Sequence, residues 1–74
     1  MMKENFGRNL KYQRKRRELT QEEAAELCEL SPKYWGKLER GEAAATVDTL
    51  EKIAMAMGMS VGDLLEDSGT KDAD

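Results

Sequence analysis

Apolar positions recur along this chain at steps of three and four, and no stretch alternates strictly enough for a strand, so the pattern predicts about five helices. Phe6 and Leu10 stand four apart in a basic segment that runs to about Arg17. Thr20-Gln21-Glu22-Glu23 opens the second helix as a capping box, with Thr20 as N-cap and Glu23 reaching back from three residues on. Ala24, Ala25, Leu27 and Cys28 make that helix's buried side. Ser31-Pro32 opens the third: serine caps, and proline at the first helical position loses no hydrogen bond. Trp35 and Leu38 face inward there, and Gly41 ends the helix. Glu42 to Ala45 reads as a loop. Thr46 caps a fourth helix with Val47, Leu50, Ile53, Ala54 and Met57 inward and Gly58 at its end. Ser60 caps a short fifth with Val61, Leu64 and Leu65 inward. The expectation is all-α: one domain over residues 1–66, then an acidic tail, 67–74, whose composition predicts disorder.

Only about three residues, Cys28 to Leu30, separate the second and third helices. So short a link forbids a full antiparallel contact, and the helices must cross at a large angle, as in a helix-turn-helix. The small Ala25 belongs at the crossing. Leu30, Trp35 and Leu38 fill the space beneath the third helix, leaving Lys33, Tyr34, Gly36, Lys37 and Arg40 outward. Three of those five are cationic and none is acidic.

Composition narrows the function. With 74 residues, no histidine and one cysteine, the chain has neither an internal disulfide nor a Cys/His zinc site, and an enzyme active site is not expected. No apolar run approaches the roughly 20 residues that span a membrane. No signal-peptide core follows Met1, so the expected location is cytoplasmic. The net charge of -3 argues against nucleic acid, but its distribution argues for it. Residues 1–20 carry seven basic and two acidic side chains, residues 21–40 three and five, and residues 41–74 two and eight. A charged ligand meets this local field and not the total.

The matches Leu19-Thr20-Gln21-Glu22-Glu23, Ala25, Ser31, Leu38-Glu39-Arg40-Gly41, Thr49-Leu50, Ile53-Ala54, Gly58 and Ser60 resemble the lambda repressor and Cro type of helix-turn-helix protein, the XRE family. The resemblance spans residues 6 to 65. It implies a five-helix domain whose third helix, about Pro32 to Arg40, enters the DNA major groove. It implies that Gln21 contacts phosphate and packs toward the third helix. Pro32, Lys33 and Lys37 then face base edges and Arg40 lies near the backbone, with Ser31 and Tyr34 on the same surface. It further implies an internal ion pair between Arg14 and Glu39. The chain departs from the family's pattern at Glu29, where glycine is common; a glutamate there costs about 1 kcal/mol if its φ is positive. The loop Glu42 to Ala45 also lacks the basic residues many relatives hold there.

The expected function is sequence-specific binding of double-stranded DNA by a small transcriptional regulator. A homodimer is expected, meeting near Met59 and Val61, with no cofactor, metal or small-molecule substrate. A protein-interaction module of the same fold, antitoxin-like or anti-repressor, is the alternative. RNA binding lacks support, since no aromatic pair is placed for base stacking. Of the run Arg14-Lys15-Arg16-Arg17, phosphate contact and a simple solvated helix end both remain open.

Overall fold

The computed structural model describes residues 2–65, with side chains from Asn5 onward, so the expected tail 67–74 lies outside the described residues. Five helices follow one another: α1 (Met2–Arg16), α2 (Gln21–Leu27), α3 (Pro32–Glu39), α4 (Val47–Met57) and α5 (Val61–Leu65). There is no strand among the described residues.

Side-chain oxygens stop four helix starts from leaving donors unpaired. Thr20 Oγ1 accepts from Glu23 N at 3.0 Å while Glu23 Oε1 accepts from Thr20 N at 2.8 Å, completing the capping box. Ser31, Thr46 and Ser60 accept the amide of the third residue on at 3.1, 3.1 and 3.0 Å. The helix ends share a second device. At the ends of α1 to α4 an amide donates five residues back: Leu19 to Arg14, Leu30 to Ala25, Glu42 to Lys37, and Met59 to Ala54. Each closure has the preceding residue in the left-handed region, namely Glu18 (φ 58), Glu29 (φ 60), Gly41 (φ 75) and Gly58 (φ 69). This is the Schellman ending. Glycine enters it freely, whereas glutamate is strained there.

Leu10, Trp35, Leu38, Ile53 and Leu64 are fully buried and are joined by Phe6, Ala24, Ala25, Cys28, Ala54 and Met57 in one core. Helix α1 packs chiefly on α3 and also on α5; α2 packs on α3, and α4 on α5. Gly7 is where α1 meets α3. A Cβ built there would lie 2.6 Å from the carbonyl oxygens of both Leu38 and Glu39. Those are backbone atoms, so only a residue without a side chain lets the two helices come this close.

Four residues depart from the expected sides. Leu27, Val47 and Leu65 are exposed, not inward. Leu27 and Leu65 are the last residues of α2 and α5, and Val47 is the first of α4. At helix ends this short, each is turned off the stripe its neighbours bury. Gly36, expected outward, is buried because the Arg40 side chain folds over it, with Nη1 3.0 Å from where a Cβ would be.

Candidate nucleic-acid interface

Ser31, Pro32, Lys33 and Lys37 are exposed along α3. Lys33 and Lys37 stand one helical turn apart and project to one side. No hydrogen bond or ion pair among the described residues engages either ammonium. The Ser31 oxygen accepts the Tyr34 amide, which leaves its O–H able to donate outward.

Tyr34 and Arg40 share this surface on different terms. Tyr34 is half-buried and donates its hydroxyl proton to the Ala44 carbonyl at 3.0 Å. That bond ties α3 to the following loop and uses the one proton a phosphate would need. Arg40 is exposed and pairs with Glu42 at 3.1 Å through Nε and 3.2 Å through Nη2. The hydrogen bond from Arg40 lowers the Glu42 carboxyl, and the same bond raises the guanidinium. An acid has thus taken a place where the helix alone would offer positive charge.

Beneath the exposed face, α1, α2 and α3 converge on one carboxylate. Glu39 Oε2 accepts from Arg14 Nε at 2.6 Å and from the Trp35 indole N–H at 2.6 Å. Glu39 Oε1 accepts from Arg14 Nη2 at 3.2 Å and from Gln21 Nε2 at 2.9 Å. Burial pushes the Glu39 carboxyl up, but hydrogen bonds from Arg14, Gln21 and Trp35 and the charge of Arg14 outweigh it and hold the group below its ordinary value. Arg14 gives its remaining nitrogen, Nη1, to the Leu19 carbonyl at 2.8 Å. All three nitrogens of its guanidinium therefore serve the fold. Gln21 is half-buried, with one amide hydrogen committed to Glu39 and the other available.

The basic run at the end of α1 divides in two. Arg17 donates to the Gln13 carbonyl, to Gln13 Oε1 and to the Met57 carbonyl at 2.9, 2.8 and 2.6 Å, clamping α1 to the end of α4. Gln13 in turn meets Asn9, whose Nδ2 donates to the Leu64 carbonyl at 2.6 Å. Lys15 and Arg16 stay exposed, Arg16 lying 5.8 Å from the centre of the Tyr12 ring. Asn9, Gln13 and Arg17 are functional only through the fold, and the reading from sequence missed their burial. Their spacing, four apart beside the Phe6–Leu10–Arg14 stripe, was the available signal.

Among the described residues there is no cluster of three potential metal ligands, and no helix is long and apolar enough to cross a membrane. Burial pushes the Cys28 thiol up to about 11, far from nucleophilic ionisation at neutral pH.

A family model described as helix-turn-helix matches residues 10–64, from within α1 to within α5. The chain belongs to that XRE-type helix-turn-helix family. As a member it is a DNA-binding transcriptional regulator. The control protein C.SmaI of Serratia marcescens is 37% identical over 70 residues, covering 95% of this chain and 83% of that protein. Among solved structures, the clp gene regulator ClgR from C. glutamicum is 31% identical with a TM-score of 0.83, over 96% of this chain and 92% of the other. The restriction-modification controller protein C.AhdI from Aeromonas hydrophila is 31% identical with a TM-score of 0.79, over 82% and 92%.

Proposed function

We propose that this helix-turn-helix protein binds a specific duplex DNA site by laying α3 in the major groove, and that it controls transcription by occupying that site as a homodimer. The observation that carries this reading is the pair of unengaged ammonium groups, Lys33 and Lys37, on a helix held from below by Trp35, Leu38 and Glu39. The eight residues of α3 run about 12 Å at 1.5 Å per residue, which suits a groove about 12 Å wide. Each lysine can donate to guanine O6 and N7. Pro32 offers apolar contact, such as to a thymine methyl, and Ser31 offers a hydroxyl. The free amide hydrogen of Gln21 suits a phosphate, and Arg40 lies beside the backbone once it exchanges Glu42 for phosphate. Occupancy requires no catalytic step, and a cytoplasmic location fits it.

Homodimerisation belongs to the same proposal. Met59 and Val61 are half-buried against the core and keep part of their surface outward for it. The alternative is a protein-interaction module that meets an acidic protein surface through Lys33 and Lys37 of α3, a contact that does not call on Arg40, which is paired with Glu42.

Selection of bound duplexes from a random library, followed by titration at two salt concentrations, tests the reading. The expected result is an enriched inverted repeat and affinity that falls steeply with salt as counterions are released. No enrichment, with salt-insensitive or undetectable duplex binding, overturns it in favour of the protein-interaction module.

A further inference from the structure

The guanidinium of Arg40 is held in one place. Helical side chains lean toward the N-terminus, so from the end of α3 it reaches back one turn and lies over Gly36, with Nη1 3.0 Å from where a Cβ would stand. Gly36 has no side chain to lift it off the helix. Glu42 grips its other side: Arg40 Nη2 donates to Glu42 Oε1 at 3.2 Å, and Nε lies 3.1 Å from Oε2. Glu42 is itself fixed by the backbone. Gly41 turns the chain back through the left-handed region (φ 75), and the Glu42 amide donates to the Lys37 carbonyl at 2.9 Å. The bond from Tyr34 to the Ala44 carbonyl ties down the loop beyond.

A guanidinium carries five N–H donors in a rigid plane. Glu42 takes the edge formed by Nε and Nη2, and no hydrogen bond among the described residues engages Nη1 or the second hydrogen of Nη2. The two side chains are each 54% exposed, so an incoming base can reach the pair. The free edge presents two parallel donors, the pattern that guanine O6 and N7 accept together in the major groove. Resting on the duplex-binding reading above, we propose that Arg40 reads the edge of a guanine and that Glu42 is the residue that positions it. On the preferred site Arg40 keeps Glu42 and donates to guanine through its free edge. On duplexes without that guanine it exchanges Glu42 for phosphate. Because the Arg40 rotamer is set before DNA arrives, less side-chain freedom is lost on binding.

Selection from a random duplex library with the full chain, followed by competition on single-base variants of the selected site, tests this. Both residues are exposed, so their variants spare the core, and circular dichroism checks the fold. The expected site contains a guanine whose replacement by adenine, which turns the O6 acceptor into a donor, weakens binding about tenfold or more. Arg40→Ala should erase the preference at that one base pair and keep those set elsewhere. Glu42→Gln should relax the same preference several-fold without weakening binding to other duplexes. A wild-type chain that selects no duplex overturns the duplex reading and this proposal together. A chain that selects a site while Arg40→Ala weakens every duplex alike makes Arg40 a backbone contact and overturns this proposal alone. Unchanged base preference in Glu42→Gln overturns the positioning role of Glu42.

Discussion

Trp35 donates its indole N–H to Glu39 one helical turn further along α3, at 2.6 Å, on the same carboxylate oxygen that Arg14 Nε reaches. The lone tryptophan of the chain is therefore a reporter of that carboxylate's charge. The folded-state value of Glu39 lies below the ordinary 4.5, so its contribution to stability is fully present above that pH. It is lost as the pH falls through the lower folded value. Tryptophan emission is expected to hold steady from neutrality to about pH 5 and to change, with falling melting temperature, below it. Emission that titrates near neutrality would contradict the assignment.

Removing the cation leaves the buried carboxylate uncompensated. The Arg14 and Glu39 side chains are 10% and 2% exposed, so breaking the pair is expected to cost about 3 kcal/mol. At about 4–8 °C per kcal/mol for a domain this size, Arg14→Ala should lower the melting temperature by more than about 8 °C. Thermal unfolding followed by circular dichroism at pH 7 measures it.

The same substitution is expected to act in opposite directions at two helical glycines. Alanine gains about 1 kcal/mol over glycine in a helix interior. At Gly7 that gain is outweighed, because the added methyl meets two carbonyl oxygens at 2.6 Å and neither backbone can yield cheaply. At Gly62 the nearest atom is the Ser60 hydroxyl at 3.7 Å, an ordinary contact. Gly7→Ala should lower the melting temperature and Gly62→Ala should hold or raise it; equal shifts would show that the α1–α3 crossing is looser than described.

Glu18 and Glu29 occupy helix endings that Gly41 and Gly58 occupy elsewhere in the chain. Relief of about 1–2 kcal/mol of left-handed strain exceeds the roughly 0.4–1 kcal/mol that glycine's freer unfolded chain costs. Glu18→Gly and Glu29→Gly should each raise the melting temperature by a few degrees, and together roughly additively, as sites in separate turns do. Denaturant midpoints with unchanged slopes would confirm that the folded state is where the gain lies.

On DNA, contacts to bases and to phosphates separate by their sequence dependence. Lys33→Ala or Lys37→Ala is expected to cost about 1–3 kcal/mol on the best site and to relax preference at one or two base pairs. Gln21→Ala should weaken binding about equally on all duplexes, measured well below the melting point because its bond to Glu39 is also lost. Competition binding on a panel of single-base variants distinguishes the two patterns.

The helix starts were legible because a cap is local: Thr20, Ser31, Thr46 and Ser60 each serve an amide three residues on. The exposure of Lys33 and Lys37 followed from the burial of Trp35 and Leu38 on the other side of α3. What escaped were bonds to main-chain acceptors. Asn9 and Arg17 are satisfied by the Leu64 and Met57 carbonyls, and a carbonyl is the same at every residue. Gly7 escaped for a related reason, since its neighbour is the backbone of α3. The Arg14–Glu39 pair was reached through family resemblance, whereas the Trp35 N–H that completes its carboxylate's shell is visible only once both are placed on one turn.

The bond from Asn9 to the Leu64 carbonyl joins residues 55 positions apart. It also orders events on the ribosome. Helix α1 emerges first, yet it packs on α3 and α5, so its Asn9 has no acceptor until the last described helix has been made. The packing of α1 is therefore completed only once α5 has emerged.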